Sequence, residues 1–124
     1  MKYDIKMCDG YLRAEMVERE TGEETREFVH ATFNAFRAHK ARKLLVSISR
    51  SLPLYKVTAW DLSGAIECAK RIKGFKLALV SDSREMATSH EYIALLSRQR
   101  GLECKVFGSE SSAVAWLTEQ LRTR

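Results

Sequence analysis

The side chains able to do chemistry are few and widely separated. Three histidines (His30, His39, His90) and three cysteines (Cys8, Cys68, Cys104) are the soft ligands and nucleophiles of the chain. A zinc site asks for such residues at short, regular spacings. His30 and His39 are more than two helical turns apart, and the cysteines form no CxxC pair. His90 falls on the apolar stripe of an expected helix, where a core histidine with a hydrogen-bond partner is the bland reading. No Ser/His/Asp arrangement follows from spacing, and there is no nucleophile elbow. GxGxxG and the P-loop are both absent, so dinucleotide and NTP chemistry lack their phosphate cradles. A phospho-receiver would need acidic residues after its first strand and an aspartate ending the central one. Those positions read Cys8-Asp9-Gly10, within a hairpin, and Ser49. No catalytic residue, metal or cofactor is expected.

The remaining polar groups are suited to recognition, and the elements decide where they lie. Residues 2–8 alternate, with Tyr3, Ile5 and Met7 on one face, and read as a strand. Asp9-Gly10 is a turn signal, and residues 11–18 alternate again with Leu12, Ala14 and Met16 inward. Thr21-Gly-Glu-Glu24 fits a capping box, and Phe28, Val29, Thr32, Phe33 and Phe36 lay a stripe along the helix it starts. Residues 43–49 form a strand apolar on both faces at its centre. After a loop at 50–57, Thr58 and Asp61 cap a helix carrying Leu62, Ala65, Ile66, Ala69 and Ile72, which Gly74 ends. A second buried strand covers 76–81. Asp82 with Glu85 is expected to cap the next helix, which carries Met86, Ala87, His90, Ile93, Ala94 and Ser97 and stops at Gly101. The last strand is 103–107, and Ser109 caps a final helix with Ala113, Val114, Trp116, Leu117 and Leu121.

The order β-β-α-β-α-β-α-β-α implies right-handed crossovers and a mostly parallel five-stranded sheet with helices packed on it; the opening hairpin adds the antiparallel element. At 124 residues the chain reads as one domain, 1–124. One proline and six glycines leave no room for a linker. The apolar runs fall far short of the roughly 20 residues of a membrane span, and the charged, alternating N-terminus is no secretory signal. With an odd number of scattered cysteines, a cytoplasmic protein with unpaired thiols is expected.

The net charge of +5 raises the question of nucleic acid. Basic residues gather at helix ends: Arg37, Lys40, Arg42 and Lys43; Lys70, Arg71, Lys73 and Lys76; Arg98 and Arg100; Arg122 and Arg124. Glu23, Glu24, Glu27, Asp61, Asp82, Glu85 and Glu110 sit in opening turns. This complements the helix dipoles and makes the molecule electrically polar. No aromatic platform or recognition motif accompanies the cations, so nucleic acid is not the expected partner.

The element order resembles that of the STAS fold, and several landmarks resemble the SpoIIAA-like family within it. The most telling is the end: a last strand closing on Val106-Phe107, a short polar cap, then Ala113, Trp116 and Leu117. The resemblance implies a non-enzymatic module that binds proteins or small ligands. Anti-sigma-factor antagonists of that superfamily carry a phosphorylatable serine after the third strand in an Asp-Ser context. Here the segment reads Ser47-Ile-Ser49-Arg50-Ser51, without Asp-Ser, which leaves Ser51 as the serine to test.

Ligands of open α/β sheets gather beyond the carboxyl ends of the strands. Those ends are Ser47–Tyr55, Ser81–Arg84 and Gly108–Ser111. The loop Ser51-Leu52-Pro53-Leu54-Tyr55 sets three large apolar side chains around the single proline. Either these fold back over the core or they form a docking surface. The expected binding set is Ser49, Arg50, Ser51, Leu52, Leu54, Tyr55, Lys56, Trp60, Asp82 and Arg84, with Arg50, Lys56 and Arg84 orienting a negative group. The primary expectation is a protein partner met through the loop after the third strand. The alternative is a small amphipathic, lipid-like or anionic ligand in a cavity lined by Phe33, Phe36 and Trp60. A homodimer is left open.

Overall fold

Strand pairing turns the alternating patterns into one sheet whose two faces have different partners. In the computed structural model, which describes residues 2–18, 21–50 and 67–119, five strands follow the spatial order β1-β2-β3-β4-β5. They are β1 (Lys2–Met7), β2 (Leu12–Val17), β3 (Lys43–Ser49), β4 (Lys76–Ser81) and β5 (Glu103–Phe107). β1 pairs antiparallel with β2, Ile5 opposite Ala14, and every other pair is parallel. The helices are α1 (Gly22–Ala38), α2 (Arg84–Gln99) and α3 (Glu110–Leu117), and residues 67–70 are also helical. This is the mixed, mostly parallel α/β sheet implied by the hydrophobic periods.

One face carries Leu12, Ala14 and Met16 of β2 and Leu44 and Ile48 of β3 against Phe28 and Phe36 of α1. Phe36 meets Phe75 edge-on with ring centroids 5.6 Å apart. Further along the same face, Leu79 and Cys104 pack under Ala94 of α2. Among the described residues the other face is covered by α3 alone, whose Ala113 and Leu117 sit on Leu45, Ala78 and Val80. Towards β1 that face is charged, with half-buried Arg13 and Glu15 on β2.

Local chemistry sets the boundaries. Gly10 takes φ +91 in the hairpin, closed by Cys8 N–H donating to Tyr11 O at 2.8 Å. At Thr21 both arms of the capping box form, with Glu24 N–H on Thr21 Oγ1 at 3.2 Å and Thr21 N–H on Glu24 Oε1 at 3.1 Å. Gly101, at φ +89, lets Leu102 N–H turn back to Ser97 O and ends α2. The helix expected after Asp61 enters the described residues only at 67–70, and Ile72, expected on its stripe, lies past that turn. Of the four basic helix ends, Arg122 and Arg124 fall outside the described residues, and the last turn of α3 holds no cation.

One ion pair fastens α3 to β2 on the face that it covers. Arg13 and Glu110 meet through Nε–Oε1 and through Nη2–Oε2, the latter at 3.1 Å, a bidentate fork between residues 97 apart. Arg13 holds the Glu110 carboxyl below its usual range through that hydrogen bond, although partial burial works in the opposite direction. Because the folded-state value is lowered, the stabilisation is present above the unfolded value, about 4.3, and is lost as pH falls through the folded one. Glu110 is 39% exposed, so the gain is that of a screened surface pair. Glu110→Gln is expected to lower the unfolding free energy by about 0.5–1 kcal/mol at pH 7. In urea titrations repeated at lower pH, the gap between variant and parent should close below about pH 4; an unchanged gap would show that the fork is not the source.

Candidate functional site

The carboxyl ends of β2, β3 and β4 are tied together by backbone and one carboxylate. Glu18 N–H donates to Ser49 O at 3.2 Å, linking the exits of β2 and β3. The next residue, Arg50, adopts φ +48, a left-handed conformation costing a non-glycine residue about 1–2 kcal/mol. Its N–H donates to Asp82 Oδ2 at 2.8 Å, which links the exits of β3 and β4. A charge-assisted bond of this kind offsets the backbone cost.

The tie corrects the expected role of Asp82. The helix cap is Ser83, extended at φ −148 and ψ 162, whose Oγ accepts from Met86 N–H at 3.1 Å. Asp82, one residue earlier, faces the stronger demand of a turning strand exit and satisfies it. Arg84 is the first residue of α2, exposed, with its carbonyl accepting the Thr88 hydroxyl at 3.1 Å. Beside it runs a polar groove between the exits of β4 and β5, lined by Asp82, Ser83, Arg84, Glu91, Phe107 and Gly108.

Four of the expected binding residues, Ser49, Arg50, Asp82 and Arg84, therefore share one edge. Ser51, Leu52, Leu54, Tyr55, Lys56 and Trp60 lie outside the described residues.

Beneath that edge, between α1 and α2 and over β3 and β4, is an apolar cavity of about 110 Å³. Val29, Phe33, Val46 and Ile93 line it, together with Thr32 and His90. Phe33 stands where the small-ligand alternative needs it, but Phe36 does not. Phe36 is 1% exposed and spent on Phe75, because its position in the stripe faces the sheet. Thr32 Oγ1 is buried with no hydrogen-bond partner among the described residues. His90 Nδ1 and Ser81 Oγ lie 2.7 Å apart, both residues buried, so His90 is a partnered core histidine. Sequence reasoning took Thr32 as one more stripe residue and gave Ser81 no role. A hydroxyl at an inward position was the available signal for both.

Cys104 is not poised to react. Burial pushes Cys104 up to about 12, with the nearby Arg98 charge opposing only weakly. Among the described residues no three His, Cys, Asp or Glu side chains converge to hold a metal.

No protein-family model and no curated protein matches the chain. Solved structures do. The NMR structure of the protein TM1081 superposes with a TM-score of 0.63 at 15% identity, covering 97% of this chain and 91% of that one. The crystal structure of an uncharacterised DUF3478-family protein with a SpoIIAA-like fold, from Shewanella loihica PV-4, gives 0.58 at 18% identity, covering 94% and 92%. At such identities the likeness carries the fold alone: this chain has a SpoIIAA-like fold.

The two acidic-end roles separate experimentally. Ser83→Ala should cost about 1 kcal/mol of stability through the lost cap and leave amide exchange at Arg50 unchanged. Asp82→Ala should accelerate exchange of the Arg50 amide selectively. Equal protection of that amide in both variants would rule out the tie.

Proposed function

We propose that this chain is a non-enzymatic regulatory module that recognises a partner protein through the carboxyl edge of its parallel strands. The segment after Ser49 is the contact. The observation that carries this reading is the Arg50–Asp82 bond, 2.8 Å long between residues 32 apart. It fixes the direction in which the chain leaves β3, and a preorganised exit lowers the ordering cost of binding.

Leu52, Leu54 and Tyr55 supply apolar contact area, a composition unusual for a segment between elements. Arg50 and Arg84 are exposed, and among the described residues neither is paired with a carboxylate. They orient a negative group on the partner, together with Lys56. Phosphorylation of Ser51 would add a dianion one residue from Arg50 and switch the same surface. The SpoIIAA-like fold agrees with a protein partner, and three free cysteines agree with a cytoplasmic setting.

A second reading has its own observation, the apolar cavity with Thr32 Oγ1 at its wall. At about 110 Å³ it is smaller than the roughly 150 Å³ cavity that accepts benzene. An occupant of a few heavy atoms fits that volume.

The test is affinity purification with wild type, Leu54→Ser/Tyr55→Ser and Arg50→Glu/Arg84→Glu, alongside native mass spectrometry of the purified chain. One partner enriched by wild type and lost from both variants, with melting temperatures unchanged, is the expected result. Retention of the same partner by both variants sinks the edge. A bound small mass that leaves on denaturation, and is excluded by Val29→Phe, establishes the cavity reading instead.

A further inference from the structure

At the opposite edge, where helices end and strands begin, a groove gathers cations from two separate elements. Arg37, Lys40 and Arg42 come from the end of α1 and the turn after it, and Lys73 from the segment before β4. The floor is apolar: Phe36 at 1% exposure, Ala41 at 6%, and half-buried Ile72. The turn is firmly built. His39 N–H donates to Ala35 O at 2.9 Å, Ala41 N–H to Phe36 O at 3.1 Å, and Lys76 N–H to Arg42 O at 3.2 Å.

The helix dipole does not account for this grouping. It favours a cation within the last turn and fades beyond it. That explains Arg37; Arg42 follows the helix end, and Lys73 belongs to another part of the chain. Lys40 occupies φ +52, the position after a helix where glycine is favoured, at a backbone cost a glycine would avoid. Among the described residues counter-ions are also missing. Glu67, at the same edge, is engaged by Lys70 at 3.7 Å and Arg100 at 3.8 Å. Among the described residues none of the four groove cations pairs with a carboxylate, and Arg37 donates only to Asn34 Oδ1 at 2.7 Å.

We propose that this groove docks an acidic segment of a partner protein. An apolar side chain of that segment lies on half-buried Ile72, and its carboxylates meet the four cations on the rim. Charge complementarity and the apolar floor together select this occupant. A nucleic acid would want an exposed aromatic face for stacking, and the groove's one aromatic is buried. A second copy offering its own acidic helix starts, Glu23, Glu24 and Glu85, would attach head to tail and build open chains.

The test uses a fluorescent 12-residue peptide of repeating Glu-Leu-Glu-Glu, a 20-nucleotide single strand and a 20-base-pair duplex, titrated with the full chain. Arg42→Glu/Lys73→Glu alters two exposed groove residues. Lys2→Glu/Lys6→Glu makes the same change in net charge at two exposed residues of β1, outside the groove. Peptide binding weakened at least about tenfold by the first pair only is the expected result. No binding by wild type, or equal weakening by both pairs, overturns the groove. Tighter binding of either oligonucleotide, lost with the first pair, reassigns it to nucleic acid. Concentration-dependent growth in sedimentation that the first pair abolishes reassigns it to self-association.

Discussion

The burial of β3 on both faces is the constraint on which the other elements depend. As the middle strand of five, it sends Leu44 and Ile48 into the core under α1 and Leu45 into the core under α3. Each such side chain withdrawn from water contributes roughly 1.5–3 kcal/mol, and both sets must be covered at once. A strand with two apolar faces requires helices on both sides, and parallel neighbours require crossovers that supply them. The register follows, because sliding β3 by one residue would turn Leu44 and Ile48 towards α3 and Leu45 towards α1. The exits at Ser49 and Ser81 are thereby set side by side, Ile48 being opposite Ser81, close enough for one carboxylate to hold the turn at Arg50.

Parallel packing has an electrostatic consequence. Helices that return from the carboxyl edge all begin there and end at the other edge. Acidic first turns (Glu23 and Glu24, Glu85, Glu110) and basic last turns (Arg37, Arg98) therefore accumulate at opposite ends. Each charge stabilises its own helix by about 0.3–1 kcal/mol, and the summed field is polar without any element having been selected for it. Arg50 and Arg84 run against that trend at the carboxyl edge, and Arg42 and Lys73 exceed it at the amino edge. Residues that depart from the dipole pattern are the ones that call for a partner.

Features governed by near neighbours in the sequence could be read from it; features governed by distant ones could not. The spans 43–49 and 76–81, the Thr21 box and the Ser109 cap depend on residues within one turn or one period, and they stand as expected. Asp82 was assigned to the helix because Glu85 follows it at capping distance. Its true partner is the Arg50 amide, 32 residues away, and Ser83 caps instead. The Arg13–Glu110 fork joins residues 97 apart and left no local trace. Phe33 and Phe36, three apart on one stripe, face a cavity wall and the core respectively, a difference decided by Phe75. Of the carboxyl edge, Ser49, Arg50, Asp82 and Arg84 were legible as a group, because strand ends in a parallel sheet must converge.

Structures sharing 15–18% identity with this chain nevertheless superpose over more than nine-tenths of it. A pattern that tolerates so much substitution is a packing pattern, held by apolar periodicity and volume more than by particular side chains. The interior therefore carries little information about function, beyond any polar atom retained inside at a cost, such as Thr32 Oγ1. The informative positions are the ones that packing does not explain. Arg50 and Lys40 both hold left-handed backbone that glycine would adopt more easily, at opposite edges of the sheet. Glu18, at the exit of β2, shares that conformation at φ +58, so the strained backbone marks the strand exits of the carboxyl edge and the helix end of the amino edge, the two edges proposed to meet partners.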